Sequence, residues 1–409
     1  MESSSPRARR AALDVLVRVD RDRAYADRTL DALLRRRTGL SGRDRGFVTE
    51  LVYGTLRHGI YIDFILNSLA SRPLSKTPVL VRNALRMGVH QLLHMRVPSH
   101  AAVNETVNLV RANHKSTTGF VNAMLRKVAR LDGDGSLPTP EPPESAHALA
   151  VAGSHPEWLV QEMLERFGLD EVRDWVAANN QTPPLMLRAN PLRTTRESLM
   201  SALEQEGLGV NASTFLDHGL EVQDAGHVTQ LDAFKSGECS VQDYAAQLVT
   251  VLSAPQPGMT VLDACAAPGG KSGHAAEAMN NQGHVLAVDV HPGRTQLIAK
   301  NATRLGLSAI HPATFDASQP DTLSEELAKR EIEGLDRAVV DAPCSGMGTL
   351  RRNPELRRRA RADLKELTAL QDALLSSIAP HVKPGGRLVY SVCTVTQAEG
   401  IERVRAFLA

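Results

Sequence analysis

The sequence predicts a multidomain chain: an all-α N-terminal domain, a small α+β unit, and a C-terminal α/β domain built on a parallel sheet. Three observations predict it. Apolar residues recur at helical spacing through the first third, and a Gly- and Pro-rich stretch follows near residue 135. After residue 241, short β-rich runs alternate with helical segments, and each run ends in an acidic or reactive residue. With 409 residues, 42% of them hydrophobic, the chain can give two or three domains a core each.

Residues 1–131 read as the helical domain, from the spacing of Leu13, Leu16 and Val17, of Leu30, Leu33 and Leu34, and of Leu85, Val89 and Leu92. Residues 132–155 read as a linker, because Asp132-Gly133-Asp134-Gly135-Ser136-Leu137-Pro138-Thr139-Pro140-Glu141-Pro142-Pro143 cannot hold regular structure. Residues 156–240 read as a small unit: a helix from Pro156-Glu157-Trp158, then strands Leu185 to Arg188 and Leu220 to Val222 around a helix at about Arg196 to Glu206. Residues 241–409 carry the runs Thr260 to Asp263, Val285 to Asp289, Ala338 to Asp341 and Arg387 to Ser391. Strand, helix, strand at this spacing makes a right-handed parallel sheet, whose ligands bind at the carboxyl ends of the strands.

Charge divides the chain. Residues 1–130 hold 23 Lys and Arg against 10 Asp and Glu, net +13, while the remainder holds 24 against 36, net −12. A basic module of this kind suits phosphate, since neutralising phosphates releases counterions; the competing reading is an Arg-rich solvated surface. No run of about eighteen apolar residues occurs, and Met1-Glu2-Ser3-Ser4-Ser5-Pro6 lacks a signal-like apolar segment, so a cytoplasmic protein without a membrane is expected. Cys239, Cys265, Cys344 and Cys393 are widely spaced, which argues against a structural metal site or a disulfide framework.

The first strand-end loop is Asp263-Ala264-Cys265-Ala266-Ala267-Pro268-Gly269-Gly270-Lys271-Ser272. Its glycines permit close backbone approach, and the helix behind it offers free N–H groups to a carboxylate. A phosphate-binding P-loop fails here, because its first glycine would stand where Cys265 does and Pro268 would lie inside the cradle. Asp289 closes the second run, where an acid can accept from a ribose diol, and Asp316 follows a third strand and could face an adenine. Acids in this order after one glycine loop favour a bound adenosyl group without a phosphate site, as in S-adenosylmethionine. Cys344 and Cys393 end two runs, and a thiolate beside a group donor can attack an otherwise unreactive pyrimidine. Cys239 reads as a small buried hydrophobe, and Cys265 as structural in its side chain.

These motifs together resemble the bacterial ribosomal-RNA cytosine-5 methyltransferases of the Fmu/Sun type, which act on small-subunit RNA. The resemblance rests on Pro268-Gly269-Gly270-Lys271, Asp341-Ala342-Pro343-Cys344-Ser345-Gly346, Arg351-Arg352-Asn353-Pro354-Glu355 and Ser391-Val392-Cys393-Thr394. In the N-terminal third it rests on Glu50-Leu51-Val52-Tyr53-Gly54-Thr55-Leu56-Arg57, Leu85-Arg86-Met87-Gly88 and Val121-Asn122-Ala123-Met124-Leu125-Arg126, which are similar to a NusB-like RNA-binding domain; Val241-Gln242-Asp243 matches the entry to the catalytic domain.

The resemblance implies a ferredoxin-like middle unit and a Rossmann-like class I methyltransferase domain using S-adenosyl-L-methionine. It assigns Cys393 as nucleophile, Cys344 to product release and Asp341 to base contact, with Cys265, Ala266, Ala267, Pro268, Gly269, Gly270, Lys271, Asp289, Asp316 and Asp341 around the cofactor. It further implies RNA as partner, no metal, and a monomer. Arg351, Arg352, Arg357, Arg358, Arg359 and Arg361 follow the Cys344 loop and are candidates to hold flanking phosphates, the last four reading equally as a solvated helix face. Aromatics make up 4% of the chain, too few for a stacking platform, so recognition is expected to depend on charge and RNA shape. The family pattern continues past Ile401 to Ala409 with a glycine-rich aromatic strand, so the terminal hairpin is expected to be absent and the Cys393 strand to lie at a sheet edge. A catalytically weakened RNA-binding or assembly factor is the alternative reading, and transfer to an exocyclic nitrogen, which needs no thiol, is a third.

Overall fold

The computed structural model describes residues 6–142, 144–223 and 228–409; Met1 to Ser5, and Pro143 of the expected linker, lie outside the described residues. The chain folds into two compact units, one of Met1–Thr182 with Met347–Arg361 and one of Pro183–Gly346 with Ala362–Ala409.

In the first unit, helices at Pro6–Asp22, Ala26–Arg36, Gly42–Arg57, Gly59–Leu69, Val79–His94, Ser99–Arg111 and Thr118–Gly133 follow the apolar periodicity of the sequence. Local chemistry sets their ends. Ser41 Oγ accepts from the Asp44 N–H at 3.1 Å and the Asp44 carboxylate accepts from the Ser41 N–H at 3.4 Å, a reciprocal cap that starts the helix at Gly42. Leu13, Leu16, Leu51, Ile62, Leu66, Leu85 and Leu125 are wholly buried, each contributing roughly 2 kcal/mol of transfer free energy. Among them Arg86 donates to Asp63 at 2.7 and 2.8 Å and to Asp20 at 3.0 Å. Burial alone would raise both carboxyls, but the guanidinium overrides it and holds them below the usual carboxylate range.

The expected linker is partly helical. Ala146–Ala152 forms a helix because its composition is alanine-rich and Ser145 Oγ caps it, accepting from the Ala148 N–H at 3.0 Å. The helices Glu157–Phe167 and Leu169–Asn179 belong to the same compact unit, and the strands from Leu185 onward to the other.

The second unit contains two sheets. Strands β1 (Leu185–Ala189), β2 (Gly209–Ala212), β3 (Gly219–Gln223) and β4 (Cys239–Val241) form an antiparallel sheet in the order β2-β3-β1-β4. The central register places Leu187 opposite both Leu220 and Val241, and Leu199 and Leu203 of the helix Arg196–Gln205 complete that core. Sequence reading passed over β2 and β4, which are short and have little apolar alternation.

The larger sheet is parallel, with β5 (Thr260–Asp263), β6 (His284–Asp289), β7 (Ile310–Thr314), β8 (Leu335–Asp341) and β9 (Val382–Ser391) in the order β7-β6-β5-β8-β9. Alternate residues serve opposite faces: Leu262, Leu286, Val288 and Val340 pack with Leu323, Leu374 and Ile378, while Val261, Val285 and Ala287 pack with Met279, Ile298 and Leu305. Burial on both faces is why these strands read as continuous apolar runs. Strand β9 is at the edge, and all five carboxyl ends face the same rim.

Candidate active site

At the end of β5 the chain turns through residues 264–269 into the helix Gly270–Ala278. Gly269 sits at φ +101°, and a Cβ there would stand 3.3 Å from Ile298 Cγ2, so both conformation and space call for glycine. No side chain caps this helix, and the N–H groups of its first turn, from Gly270 to Ser272, have no intrahelical partner. The loop is braced from three sides. Ser272 Oγ donates to Asp263 Oδ2 at 2.6 Å, Asn301 Nδ2 to the Pro268 carbonyl at 2.8 Å, and Arg294 Nη2 to the Ala267 carbonyl at 3.3 Å. Burial pushes the Asp263 carboxyl up to about 6, against the Ser272 bond and the Lys271 charge, and its Oδ1 is buried without a hydrogen-bond partner among the described residues.

Behind the loop, Arg188 of β1 and Glu277 form a buried pair, Nη2 to Oε1 at 2.8 Å and Nε to Oε2 at 2.9 Å, while Arg188 also donates to Gln242 and to the Gly270 carbonyl. The small sheet thereby anchors the helix that carries Lys271.

Asp289 ends β6, nearly buried, with Oδ1 accepting from the His291 N–H at 3.0 Å and Oδ2 3.4 Å from Arg294 Nη1. Asp316 lies two residues past β7 and caps its own turn, Oδ1 accepting from the Ser318 N–H at 2.9 Å and Ser318 Oγ at 2.7 Å. Cys265, Ala266, Ala267 and Pro268 line the turn itself. Burial pushes the Cys265 thiol up to about 12, and that of Cys239 likewise, so both stay neutral. An uncapped helix start, a glycine that lets backbone approach, and strand-end carboxylates fit a zwitterionic amino acid joined to a nucleoside.

On the other side of β5, β8 and β9 pair with Asp341 opposite Ser391, so the loops carrying Cys344 and Cys393 leave the sheet side by side. Their sulfurs lie 3.3 Å apart, with Cys393 exposed and Cys344 half-buried. The pair is asymmetric. The contact with Cys393 and burial push the Cys344 thiol up; the hydrogen bond shared with Cys344, aided by the Lys271 charge and opposed by burial and Asp341, lowers the Cys393 thiol. Lys271 Nζ lies 2.5 Å from Asp341 Oδ2, and Ser391 Oγ donates to Asp341 Oδ1 at 3.0 Å. Lys271, Asp341, Cys344 and Cys393, separated by 122 residues of sequence, thus meet at one point on the rim. Among the described residues, no group of three or more His, Cys, Asp or Glu could hold a metal ion.

Sequence reasoning missed the buried Glu399, whose carboxylate accepts from both Ser345 and Thr396. The available signal was the run of hydroxyl residues, Ser345, Thr394 and Thr396, flanking the two cysteines.

Within the arginine segment, Arg357 departs from the expectation of a phosphate contact. Arg357 is 2% exposed and donates to the carbonyls of Arg57, Asn179, Gly153 and Ser154 and to Asn180 Oδ1, at 2.7 to 3.1 Å, so it cannot hold a phosphate. Arg358 pairs with Asp63 at 2.9 Å, and Arg351 donates to the Thr182 carbonyl at 2.8 Å. The cause is topological: residues Met347–Arg361 leave the catalytic unit and pack within the first one.

Comparison with known proteins gives the family. Residues 249–409 match the family "16S rRNA methyltransferase RsmB/F", residues 6–130 the NusB family, and residues 155–229 the ferredoxin-like domain of the RsmF/B-like methyltransferases. A Synechocystis protein named "Probable ribosomal RNA small subunit methyltransferase B" is 40% identical over 98% of this chain and 89% of its own length. The "Ribosomal RNA small subunit methyltransferase B" of Cronobacter sakazakii is 35% identical over 90% of this chain and 83% of its own. The crystal structure of PH0851 superposes with a TM-score of 0.83, at 26% identity, over 100% of this chain and 90% of that one. With these matches spanning nearly its whole length, the chain belongs to the RsmB/F family of 16S rRNA methyltransferases.

Proposed function

We propose that this methyltransferase moves a methyl group from S-adenosyl-L-methionine to carbon 5 of a cytosine in small-subunit ribosomal RNA, through a covalent bond to Cys393. The observation that carries the reading is the thiol pair, 3.3 Å apart beside Lys271 and Asp341, with Cys393 exposed and Cys344 half-buried. When bound, the cofactor supplies an electrophilic methyl on a sulfonium. Its amino-acid carboxylate suits the free N–H groups at Gly270 and Lys271, its ribose diol Asp289, and its adenine the neighbourhood of Asp316; Cys265 to Gly269 contribute backbone.

Carbon 5 of cytosine is nucleophilic only after a thiolate adds to carbon 6. Cys393 is suited to that addition, since the Cys344 sulfur lies 3.3 Å from its own, within reach of an S–H donated to the thiolate, and Lys271 favours its anion. Asp341 hydrogen-bonds the base in this reading, and its contacts with Lys271 and Ser391 support that role by fixing its orientation. After transfer water takes the carbon 5 proton, the freed C–H electron pair re-forms the carbon 5–carbon 6 double bond, the carbon 6–sulfur bond breaks with its electron pair returning to Cys393 sulfur, and the Cys344 S–H beside it stabilises that leaving thiolate. The target cytosine must leave any stack to reach both sulfurs, so a single-stranded or loop base is the substrate. The basic N-terminal unit supplies sequence-independent affinity for RNA, and the protein works as a cytoplasmic monomer without a metal.

The test compares wild type, Cys393→Ala and Cys344→Ala, each with S-adenosyl-L-methionine and unmodified small-subunit RNA, by mass spectrometry of digested RNA and denaturing gels. Wild type should form 5-methylcytidine. Cys393→Ala should form none, and Cys344→Ala should accumulate protein covalently on RNA. Full turnover by Cys393→Ala would reject the assignment.

A further inference from the structure

We infer that Glu399 is a positioning residue whose buried carboxylate clamps the Cys344 loop to the Cys393 loop and so sets the separation of the two thiols; the inference rests on the covalent reading above. Glu399 is 0% exposed although it is an acid in a turn eight residues past the end of β9. Four donors converge on it: the Ser345 N–H at 2.7 Å and Gln371 Nε2 at 3.2 Å on Oε1, and Ser345 Oγ at 2.5 Å and Thr396 Oγ1 at 2.9 Å on Oε2. A buried carboxylate is tolerated only when its lone pairs are satisfied, and here they are.

The donors are distributed in a telling way. Ser345 follows Cys344 directly, and its hydroxyl also lies 2.9 Å from Thr394 Oγ1, which follows Cys393 directly. Gln371 adds a second hold on the first loop by donating to the Pro343 carbonyl at 2.9 Å. Tyr390, near the end of β9, donates its hydroxyl to the Glu399 carbonyl at 2.6 Å and ties the turn back to the strand. The carboxylate therefore holds Ser345 after Cys344 and Thr396 after Cys393 directly, Pro343 through Gln371, and Thr394 through Ser345. Both loops lie beyond the last ladder pair, Asp341 with Ser391, so the sheet alone does not fix their spacing. None of these bonds involves the glycine loop, Asp289 or Asp316.

The experiment uses the full chain with Glu399→Ala, Glu399→Gln and the isosteric Thr394→Val. Three quantities are read: kcat and KM for methyl transfer to small-subunit RNA, affinity for S-adenosyl-L-methionine by calorimetry, and the pH dependence of Cys393 alkylation by iodoacetamide, followed by peptide mass spectrometry. Glu399→Ala should lower kcat about 100-fold, as misplacement on the ångström scale does, with cofactor affinity unchanged. Its Cys393 alkylation profile should move up toward the free-thiol value of about 8.5, as it should in Cys344→Ala measured alongside, with no further movement when Glu399→Ala and Cys344→Ala are combined.

Glu399→Gln keeps an acceptor for the two N–H donors and can donate to the two hydroxyls, which rotate. It should stay within about tenfold of wild type. Thr394→Val should fall between them. Wild-type kcat and alkylation profile in Glu399→Ala would overturn the inference, as would a Gln variant as impaired as the Ala variant with cofactor binding lost. Should Glu399→Ala not fold, the Gln and Thr394→Val variants decide. The alkylation profile reads thiol placement without turnover, so failure of the methyl-transfer reading and failure of the clamp are separately visible.

Discussion

Removing Glu277 tests the energetic account of the second unit. Arg188 and Glu277 are each 1% exposed in their side chains and share two hydrogen bonds of 2.8 and 2.9 Å. Glu277→Ala strands a guanidinium in the interior with Nε and one Nη2 donor unpaired, and only Gln242 and the Gly270 carbonyl to stabilise it. Losing one partner of a buried pair costs about 3–5 kcal/mol, more than the pair itself is worth, because the survivor keeps its desolvation penalty. In a cooperative unit of about 200 residues, 4 kcal/mol lowers the melting temperature by roughly 8–16 °C. The double variant Arg188→Met with Glu277→Leu removes both charges and should recover most of the loss. Thermal melts and urea unfolding of wild type, Arg188→Met, Glu277→Leu and the double variant give the cycle, with Glu277→Ala alongside. A Glu277→Ala protein within 1 kcal/mol of wild type, or a double variant no better than the single, would refute the reasoning.

Further outcomes follow from the same structure. Arg357→Ala leaves several buried carbonyls without their donor at about 1–3 kcal/mol each, so the first unit should lose at least about 3 kcal/mol in urea unfolding; an unchanged midpoint would contradict the structural role. Asp263, with its folded value raised from 3.8 to about 6 by burial, stabilises the fold fully below pH about 3.8 and loses that contribution as pH rises through about 6. The shift is worth about 3 kcal/mol, so stability relative to Asp263→Asn should decline by up to that amount between pH 4 and 7; parallel curves would refute it. Gly269→Ala forces a non-glycine residue to φ +101° and a Cβ to 3.3 Å from Ile298, and should cost about 1–2 kcal/mol and weaken cofactor binding in calorimetry; wild-type affinity would show that the turn tolerates a side chain.

Much of this protein was determined by its sequence alone. Periodicity gave the helices of the first unit because their cores are filled by residues three and four apart, such as Leu13 and Leu16. The parallel sheet was legible because strands buried on both faces must be apolar throughout and must end where polar loops begin, which set Asp263, Asp289 and Asp341 at one rim. The glycine loop and the two Cys motifs declared themselves through residue types that few other roles require. Tertiary structure alone decided the rest. That Arg357 would be buried among carbonyls rather than exposed to phosphate depends on residues Met347–Arg361 joining the first unit, a choice no local pattern encodes. The meeting of two cysteines 49 residues apart, with sulfurs 3.3 Å from each other, arises because their loops follow strands adjacent in space and not in sequence. Glu399 reads as an ordinary surface acid until the fold surrounds it with four donors, because hydrogen bonding in the interior depends on which distant loops converge, and periodicity carries only the distance between neighbours along the chain.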